Sequence, residues 1–150
     1  MADLDITIRK AKGNDMNGIF HLVKELAAYE NAENEITINV EYYEKSFENG
    51  LFESIVAIEN SRIIGTCIYY PTYSTWKGKM LYLEDFVVKE AYRKHGIGQQ
   101  LYDQLIKIAK SENYNLIKWQ VLDWNEPAVK FYEKNHATIE KDWWNCKIIF

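Results

Sequence analysis

Two groups of residues in this chain could do chemistry, and they lie close together in the sequence. The first is the carboxylate pair Glu84-Asp85, set inside the apolar run 81–88. Successive side chains of a strand point to opposite faces, so at least one carboxylate must face a packed or partly enclosed side. Burying a carboxylate without a partner is costly. The pair therefore predicts either a structural ion pair with Lys or Arg, or a functional cation site or proton acceptor.

The second group is the segment Arg93-Lys94-His95-Gly96-Ile97-Gly98. Apolar residues recur from it at helical spacing, at Ile97, Leu101, Leu105 and Ile108. Glycines at a helix N-terminus let backbone N–H groups crowd together where the helix dipole favours negative charge. The segment predicts a phosphate-binding loop. It is not a P-loop, and Leu101 stands where a dinucleotide fingerprint needs a third small residue.

Two further segments carry polar groups at helix ends. In Lys24–Glu30, the neighbours Tyr29 and Glu30 could hold an ammonium group by hydrogen bond, charge and ring face, or form an ordinary solvated helix end. In Trp124–Tyr132, Phe131 and Tyr132 could be simple core aromatics of a helix that begins near Pro127. Both alternatives are open from the residues alone.

Composition limits the classes of protein that this chain can be. It has 150 residues, 47% hydrophobic and 27% charged, which predicts one globular domain over residues 1–150. The net charge of −4 argues against nucleic acid as a partner and suits a cationic substrate. No leader peptide or membrane span is expected, and two scattered cysteines, Cys67 and Cys146, fit a reduced cytoplasm. The histidines lack metal-ligand spacing, so no metal is expected.

The hydrophobic pattern predicts an α/β chain with the element order β-α-α-β-β-β-α-β-α-β, in which helices cover a mixed sheet. Strands are expected at 4–9, 53–59, 62–70, 79–88 and 115–123, with a last strand or hairpin at the end of the chain. Helices are expected from about 19–29, 39–48 and 96–112, and from about 127 onward.

Taken together, these segments resemble the GNAT superfamily of N-acetyltransferases, and within it the diamine (spermidine/spermine) and thialysine acetyltransferases. The segments that carry the resemblance are Lys24–Ala27 with Tyr29-Glu30, Tyr69-Tyr70 with Thr72-Tyr73 and Trp76, Leu81–Phe86, Tyr92-Arg93 with Gly96–Gly98, and Trp124–Pro127 with Phe131-Tyr132. Lys94-His95 replace a more usual small-aromatic pair in the loop. The resemblance covers residues 24 to 132 and weakens after His136. It implies the GNAT fold, a mixed and mostly antiparallel α+β sheet of about six to seven strands flanked by about four helices.

The resemblance also implies site residues. Acetyl-CoA would be the acetyl donor, held by Phe86, Val87, Val88, Arg93, Lys94, His95, Gly96, Ile97, Gly98, Gln99, Asn125, Pro127 and Tyr132. The amine substrate would contact Tyr29, Glu30, Trp76, Glu84 and Asp85. Glu84 would accept the amine proton, through an ordered water, and Tyr132 would protonate the departing thiolate.

The resemblance implies a homodimeric, cytoplasmic enzyme that acetylates a small polyamine or diamine by direct transfer in a ternary complex. A lysine-like acceptor such as thialysine is the alternative substrate. A regulatory module that binds acetyl-CoA without turnover is the alternative from another class.

Overall fold

A computed structural model describes residues 3–150, and the chain divides into two compact units. The first unit ends at Trp119 and the second is Gln120–Phe150. The first contains the strands β1 (Thr7–Lys10), β2 (Glu53–Glu59), β3 (Arg62–Ser74), β4 (Gly78–Val88) and β5 (Leu116–Lys118). It also contains the helices α1 (Met16–Tyr29), α2 (Val40–Glu48) and α3 (Ile97–Ser111). The second unit contains α4 (Glu126–Lys134).

The five strands form one mixed sheet in the order β1-β2-β3-β4-β5. The first three pairings are antiparallel and the β4–β5 pairing is parallel. Tight connections explain the β2–β3 and β3–β4 pairings, since Asn60 and Ser61, both with positive φ, join β2 to β3, and residues 75–77 join β3 to β4. The parallel pairing follows from α3, because a crossover helix returns the chain to the same end of the sheet.

Both faces of the sheet are covered by helices, and the alternation of side chains along β2 shows how. Ile55 and Ala57 lie in the core cluster that contains Leu101 and Leu105 of α3. Val56, between them, belongs to the cluster built on α1. A strand buried on both faces is mostly apolar, which explains the run Ile55–Ile58 in β2, and the buried hydroxyl of Ser54 shares a hydrogen bond with Thr66 of β3. Truncating a fully buried leucine such as Leu101 to alanine would cost about 2–5 kcal/mol.

The predicted α/β class and the element order up to α4 are confirmed, with differences in detail. The sheet has five strands in the described chain, fewer than the six to seven expected. The strand expected at 115–123 is limited to Leu116–Lys118. The final strand or hairpin was wrong for the described residues, because 137–150 contain no strand. That segment places apolar residues side by side, as in Trp143-Trp144, and lacks the alternation of a half-buried strand.

Strand β3 runs four residues further than the 62–70 expected and passes through Pro71. Its pairing with β2 ends at Tyr69, whereas its pairing with β4 continues to Ser74. Beyond Tyr69 the strand has a single neighbour, so a proline there interrupts no ladder on the free side. No helix described for residues 3–150 is long and apolar enough to cross a membrane.

Candidate active site

Glu84 occupies a β-bulge in β4. Ile68 of β3 pairs with Asp85, but the next residue, Tyr69, pairs with Leu83, so Glu84 is the extra residue on its strand. A bulge bends the strand and redirects the extra side chain. The carboxylate of Glu84 is exposed, and its Oε2 accepts a hydrogen bond of 2.7 Å from the hydroxyl of Tyr70.

Asp85, the next residue, lies in a different electrostatic environment. Burial, with additional repulsion from the carboxylates of Glu84 and Glu30, raises its pKa to about 7. Burial also raises the pKa of Glu30, the C-cap of α1. On α2, burial together with the charges of Asp85 and Glu84 raises the pKa of Tyr43 to about 12. The end of α1 and the bulge of β4 thus bring three carboxylates together. We call Glu30, Glu84 and Asp85 the carboxylate cluster.

Within residues 3–150, none of these three carboxylates forms an ion pair with Lys or Arg. The ion pairs of the described chain involve Asp15, Glu25, Glu53, Glu112 and Glu126 instead. The structural ion pair that the sequence allowed for Glu84-Asp85 is therefore wrong in the described chain. A cluster of negative charges with raised pKa is a site that a cation would stabilise.

The end of α1 carries an aromatic ring, Tyr29, that contacts the guanidinium group of Arg93. The side chain of Tyr29 is 41% exposed, and the guanidinium carbon of Arg93 lies 5.4 Å from the centre of its ring. Arg93 also donates a hydrogen bond of 3.1 Å from Nε to the carbonyl of Val88 at the end of β4. Arg93 therefore connects β4 to the C-terminus of α1.

The predicted phosphate loop lies at the N-terminus of α3. Gly96 is the N-cap, with φ of +77°, and no side chain caps the helix there. The first N–H groups of the helix are therefore available to an anion. A Cβ built on Gly96 would meet no atom within 4 Å, so the loop has room for a ligand. The geometry fits a bound pyrophosphate.

Other loop residues have different surroundings. Lys94 adopts φ of +65°, a conformation that a non-glycine residue adopts at some cost. His95 is exposed. The side chain of Gln99 donates a hydrogen bond of 2.9 Å to Asp103 one helical turn later, whereas Ile97 is buried in the core. A Cβ on Gly98 would be 3.6 Å from Phe86, an ordinary contact.

The C-terminal half of β4 has backbone that β5 does not pair with. Pairing with β5 covers Met80 to Tyr82 in the described chain. The residues expected to bind the pantetheine arm, Phe86, Val87 and Val88, lie beyond that pairing and are matched to β3 on the other side. Because β5 does not pair with this part of β4 in the described chain, an extended chain could be added there through the backbone, although the carbonyl of Val88 already accepts a hydrogen bond from Arg93.

In the second unit, Asn125 is the N-cap of α4, and its side chain accepts a hydrogen bond of 3.4 Å from the N–H of Ala128. Pro127 lies in the first turn, where its missing N–H is tolerated. Tyr132 is 7% exposed and its ring meets that of Phe131 edge-on at 5.8 Å. The strand-to-helix junction expected around Asn125 is thus a capped helix start.

Trp76 is separated from the carboxylate cluster. Its side chain is 82% exposed at the connection between β3 and β4, where Ser74 pairs with Gly78. The six positions from Gly78 to Glu84 span roughly 20 Å of extended strand. A contact of Trp76 with the substrate stays a prediction. The thiol of Cys67 is not suited to attack a thioester, since burial raises its pKa strongly.

Sequence reasoning missed the contribution of Tyr70 and Tyr43. Tyr70 lies in a segment that resembles the family and Tyr43 in the helix predicted at 39–48, and neither pattern assigns a role to its tyrosine. The hydrogen bond from Tyr70 to Glu84 depends on the bulge, and the effect of the carboxylate charges on Tyr43 depends on how α2 packs, so no local pattern reports either. No group of three or more His, Cys, Asp or Glu among residues 3–150 is placed to hold a metal ion.

Comparison with known proteins shows the family to which this chain belongs. The acetyltransferase (GNAT) family matches residues 20–137 and so covers parts of both units. A thialysine N-epsilon-acetyltransferase of Bos taurus is 33% identical, over 94% of this chain and 90% of its own length. The spermidine/spermine N(1)-acetyltransferase-like protein 1 of Homo sapiens is 34% identical, over 87% of this chain and 20% of its own length.

Among solved structures, an aminoglycoside acetyltransferase from an uncultured soil metagenomic sample, in complex with trehalose, has a TM-score of 0.81. It covers 97% of this chain and 96% of its own at 18% identity, which shows a shared fold. The chain belongs to the acetyltransferase (GNAT) family. It is an N-acetyltransferase, and enzymes of this family use acetyl-CoA as the acetyl donor. The membership and enzyme class expected from the sequence are confirmed.

Proposed function

We propose that this chain transfers the acetyl group of acetyl-CoA to a primary amine of a small polyamine or diamine, by direct transfer in a ternary complex. The observation that carries the proposal is the cluster of Glu30, Glu84 and Asp85, which lacks a Lys or Arg ion-pair partner within residues 3–150. A polyamine brings the positive charges that such a cluster needs. Its positive charge would offset the burial and the repulsion that raise the pKa of Asp85, and its binding would release a proton near pH 7.

The donor side of the reaction uses the loop and the part of β4 beyond its pairing with β5. Bound acetyl-CoA supplies an activated thioester. The loop from Lys94 to Gln99 would hold its pyrophosphate, supported by the uncapped start of α3 and the open space at Gly96. Phe86, Val87 and Val88 would bind the pantetheine arm through the backbone, and one of their N–H groups would face the thioester oxygen.

The acceptor side requires a deprotonated amine. An alkylammonium has a reference pKa of ~10.4, so it arrives protonated at neutral pH. Glu84, acting through an ordered water, would take this proton, supported by its exposed carboxylate in the bulge. Asp85, Glu30 and Tyr29 would hold the remaining positive charge of the substrate.

The leaving thiolate requires a proton, and we assign its transfer to Tyr132. Its phenol, with a reference pKa of ~10, is protonated at pH 7. Its position in the family motif that starts at Asn125 and Pro127 supports the assignment. No covalent enzyme intermediate is needed, which agrees with the inert surroundings of the buried thiol of Cys67.

A lysine-like acceptor such as thialysine is the second candidate. Two observations favour it: the similarity to the bovine thialysine acetyltransferase, and the position of Arg93 against Tyr29. An amino-acid substrate carries a carboxylate that needs a cation, and the guanidinium of Arg93 can supply one by a bidentate contact.

The test is an acetyl-transfer assay that follows thiol release with spermidine, spermine, lysine, thialysine and a simple monoamine. The proposal predicts kcat/KM for the polyamines at least tenfold above that for lysine and thialysine. The reverse order, together with loss of thialysine turnover in Arg93→Ala, would establish the second candidate. Absence of thiol release with every amine would contradict both.

A further inference from the structure

We infer that Tyr70 is a positioning residue that holds the carboxylate of Glu84 in its working orientation, an inference that rests on the proposed function of Glu84 as proton acceptor. Neither a helix nor a core contact fixes the Glu84 side chain. It is exposed and lies in a bulge, where the pairing of the sheet is interrupted. A free glutamate side chain has considerable rotamer entropy, so its orientation needs a specific restraint.

The register of the sheet explains how Tyr70 reaches Glu84. Tyr70 pairs directly with Tyr82, so Glu84 is its diagonal neighbour on β4. Diagonal neighbours on an antiparallel pair are within reach of aromatic side chains. The observed bond of 2.7 Å from the Tyr70 hydroxyl to Oε2 has the length of a strong hydrogen bond to a carboxylate.

The ring that carries this hydroxyl is itself held in place. Tyr70 stacks on Tyr82, with ring centres 5.5 Å apart and planes at 25°. Burial and the hydrogen bond to Glu84 both raise the pKa of Tyr70 above its ordinary value, so the phenol keeps its proton through the neutral range. Tyr70 is therefore a fixed donor. Because it occupies Oε2, Oε1 is the oxygen that would accept the proton.

Other titratable groups lie near Glu84 on neighbouring elements. Asp85 lies beside it on β4, and the charge of Glu30 at the end of α1 helps to raise the pKa of Asp85. The charge of Glu84 contributes to the raised pKa values of Tyr43 on α2 and Tyr82 on β4. Of the side chains named here, Tyr70 is the one for which the structure gives a hydrogen bond to Glu84. Removing that hydroxyl should therefore lower turnover through Glu84, whereas the effect of a general loss of packing would not depend on Glu84.

The test uses Tyr70→Phe, which keeps the ring and the stack, with Tyr73→Phe as the matched control on the exposed part of β3. We expect kcat with the best amine to fall about tenfold in Tyr70→Phe, the loss for one hydrogen bond to a charged group. KM for acetyl-CoA and all parameters of Tyr73→Phe should match those of the unsubstituted enzyme.

Two measurements separate positioning from a structural role and from failure of the proposed function. In a Glu84→Gln background, Tyr70→Phe should have no further effect on kcat; an undiminished effect would overturn the inference. The ¹³C NMR chemical shift of the Glu84 carboxylate, assigned by its loss in Glu84→Gln, should change in Tyr70→Phe because the hydrogen bond to Oε2 is lost, and should not change in Tyr73→Phe. This readout needs no turnover. An unchanged chemical shift in Tyr70→Phe contradicts the positioning role, whereas an inactive parent enzyme contradicts only the proposed function.

Discussion

In the first unit, Asp15 is buried and Asp85 is partly buried, and their pKa values are shifted in opposite directions. Burial alone would raise the pKa of Asp15, but hydrogen bonds from the Arg9 guanidinium and the Lys12 backbone outweigh it and hold the pKa below its usual value. Arg9 donates two of these bonds, of 2.7 and 3.1 Å. Burial, together with repulsion from Glu84 and Glu30, raises the pKa of Asp85 to about 7, and Asp85 has no ion-pair partner within residues 3–150.

The carboxylate of Asp15 therefore stabilises the fold, whereas ionisation of Asp85 destabilises it. Asp15 connects β1 to the start of α1, and the ion pair is complete within the described chain. Asp85 is destabilising until a positive charge arrives from outside. Unfavourable electrostatics of this kind cluster at functional sites, where a ligand relieves them. The difference supports our proposal that the carboxylate cluster binds a cation, whereas the Arg9–Asp15 ion pair stabilises the fold.

The largest expected effect is on turnover, in Glu84→Gln. The substitution removes the proposed proton acceptor, so kcat/KM should fall by about 10²–10⁴. The matched control is Glu53→Gln, an exposed carboxylate on β2 whose partner is Lys10 at 3.9 Å. Thiol release measures both variants. Near-normal turnover in Glu84→Gln, or an equal loss of turnover in Glu84→Gln and Glu53→Gln, would show that Glu84 differs in no functional way from a carboxylate with an ion-pair partner.

The next largest effect is on the free energy of unfolding, and it should have opposite signs for substitutions of Asp15 and Asp85. Asp15→Asn leaves Arg9 and the Lys12 N–H with a weaker acceptor and should lower the free energy of unfolding by about 2–3 kcal/mol at pH 7. Asp85→Asn removes a repelled charge and should raise the free energy of unfolding by about 1–2 kcal/mol at pH 8, allowing for partial exposure. Urea denaturation of both variants measures these values.

The pH dependence of the same two variants has opposite signs. The folded-state pKa of Asp15 is depressed, so its stabilisation is present above about pH 4 and is lost as the pH falls below that value. The folded-state pKa of Asp85 is raised, so its penalty is absent below about pH 4 and grows until about pH 7. Parallel pH profiles for the two variants would contradict the comparison.

The smallest expected effect is on substrate affinity, in Glu30→Gln. One charge of three is lost at a partly exposed site, so KM for spermidine should rise about five- to tenfold with kcat nearly unchanged. Glu25→Gln on the same helix is the control, since Glu25 is paired with Lys89 at 3.3 Å. A monoamine should show a smaller change than spermidine. Equal changes for both amines would show that Glu30 does not contact the distal charge.

The sequence by itself determined the features that depend on local spacing. Apolar residues at helical and strand periods located α1, α3 and β2, and the glycines of the loop marked the start of α3 with its anion-binding N–H groups. The order of the motifs identified the family, because each motif requires particular residues within a few positions of one another.

The tertiary structure decided the chemistry of the carboxylates. Glu84 and Asp85 are adjacent in sequence, yet one lies exposed in a bulge beside Tyr70 and the other lies partly buried near Glu30. Ionisation depends on burial and on charges brought from distant segments by the sheet register and helix packing. A short stretch of sequence contains no information on these long-range effects. The residue types therefore indicated the candidate groups, whereas their protonation and their partners depend on the fold.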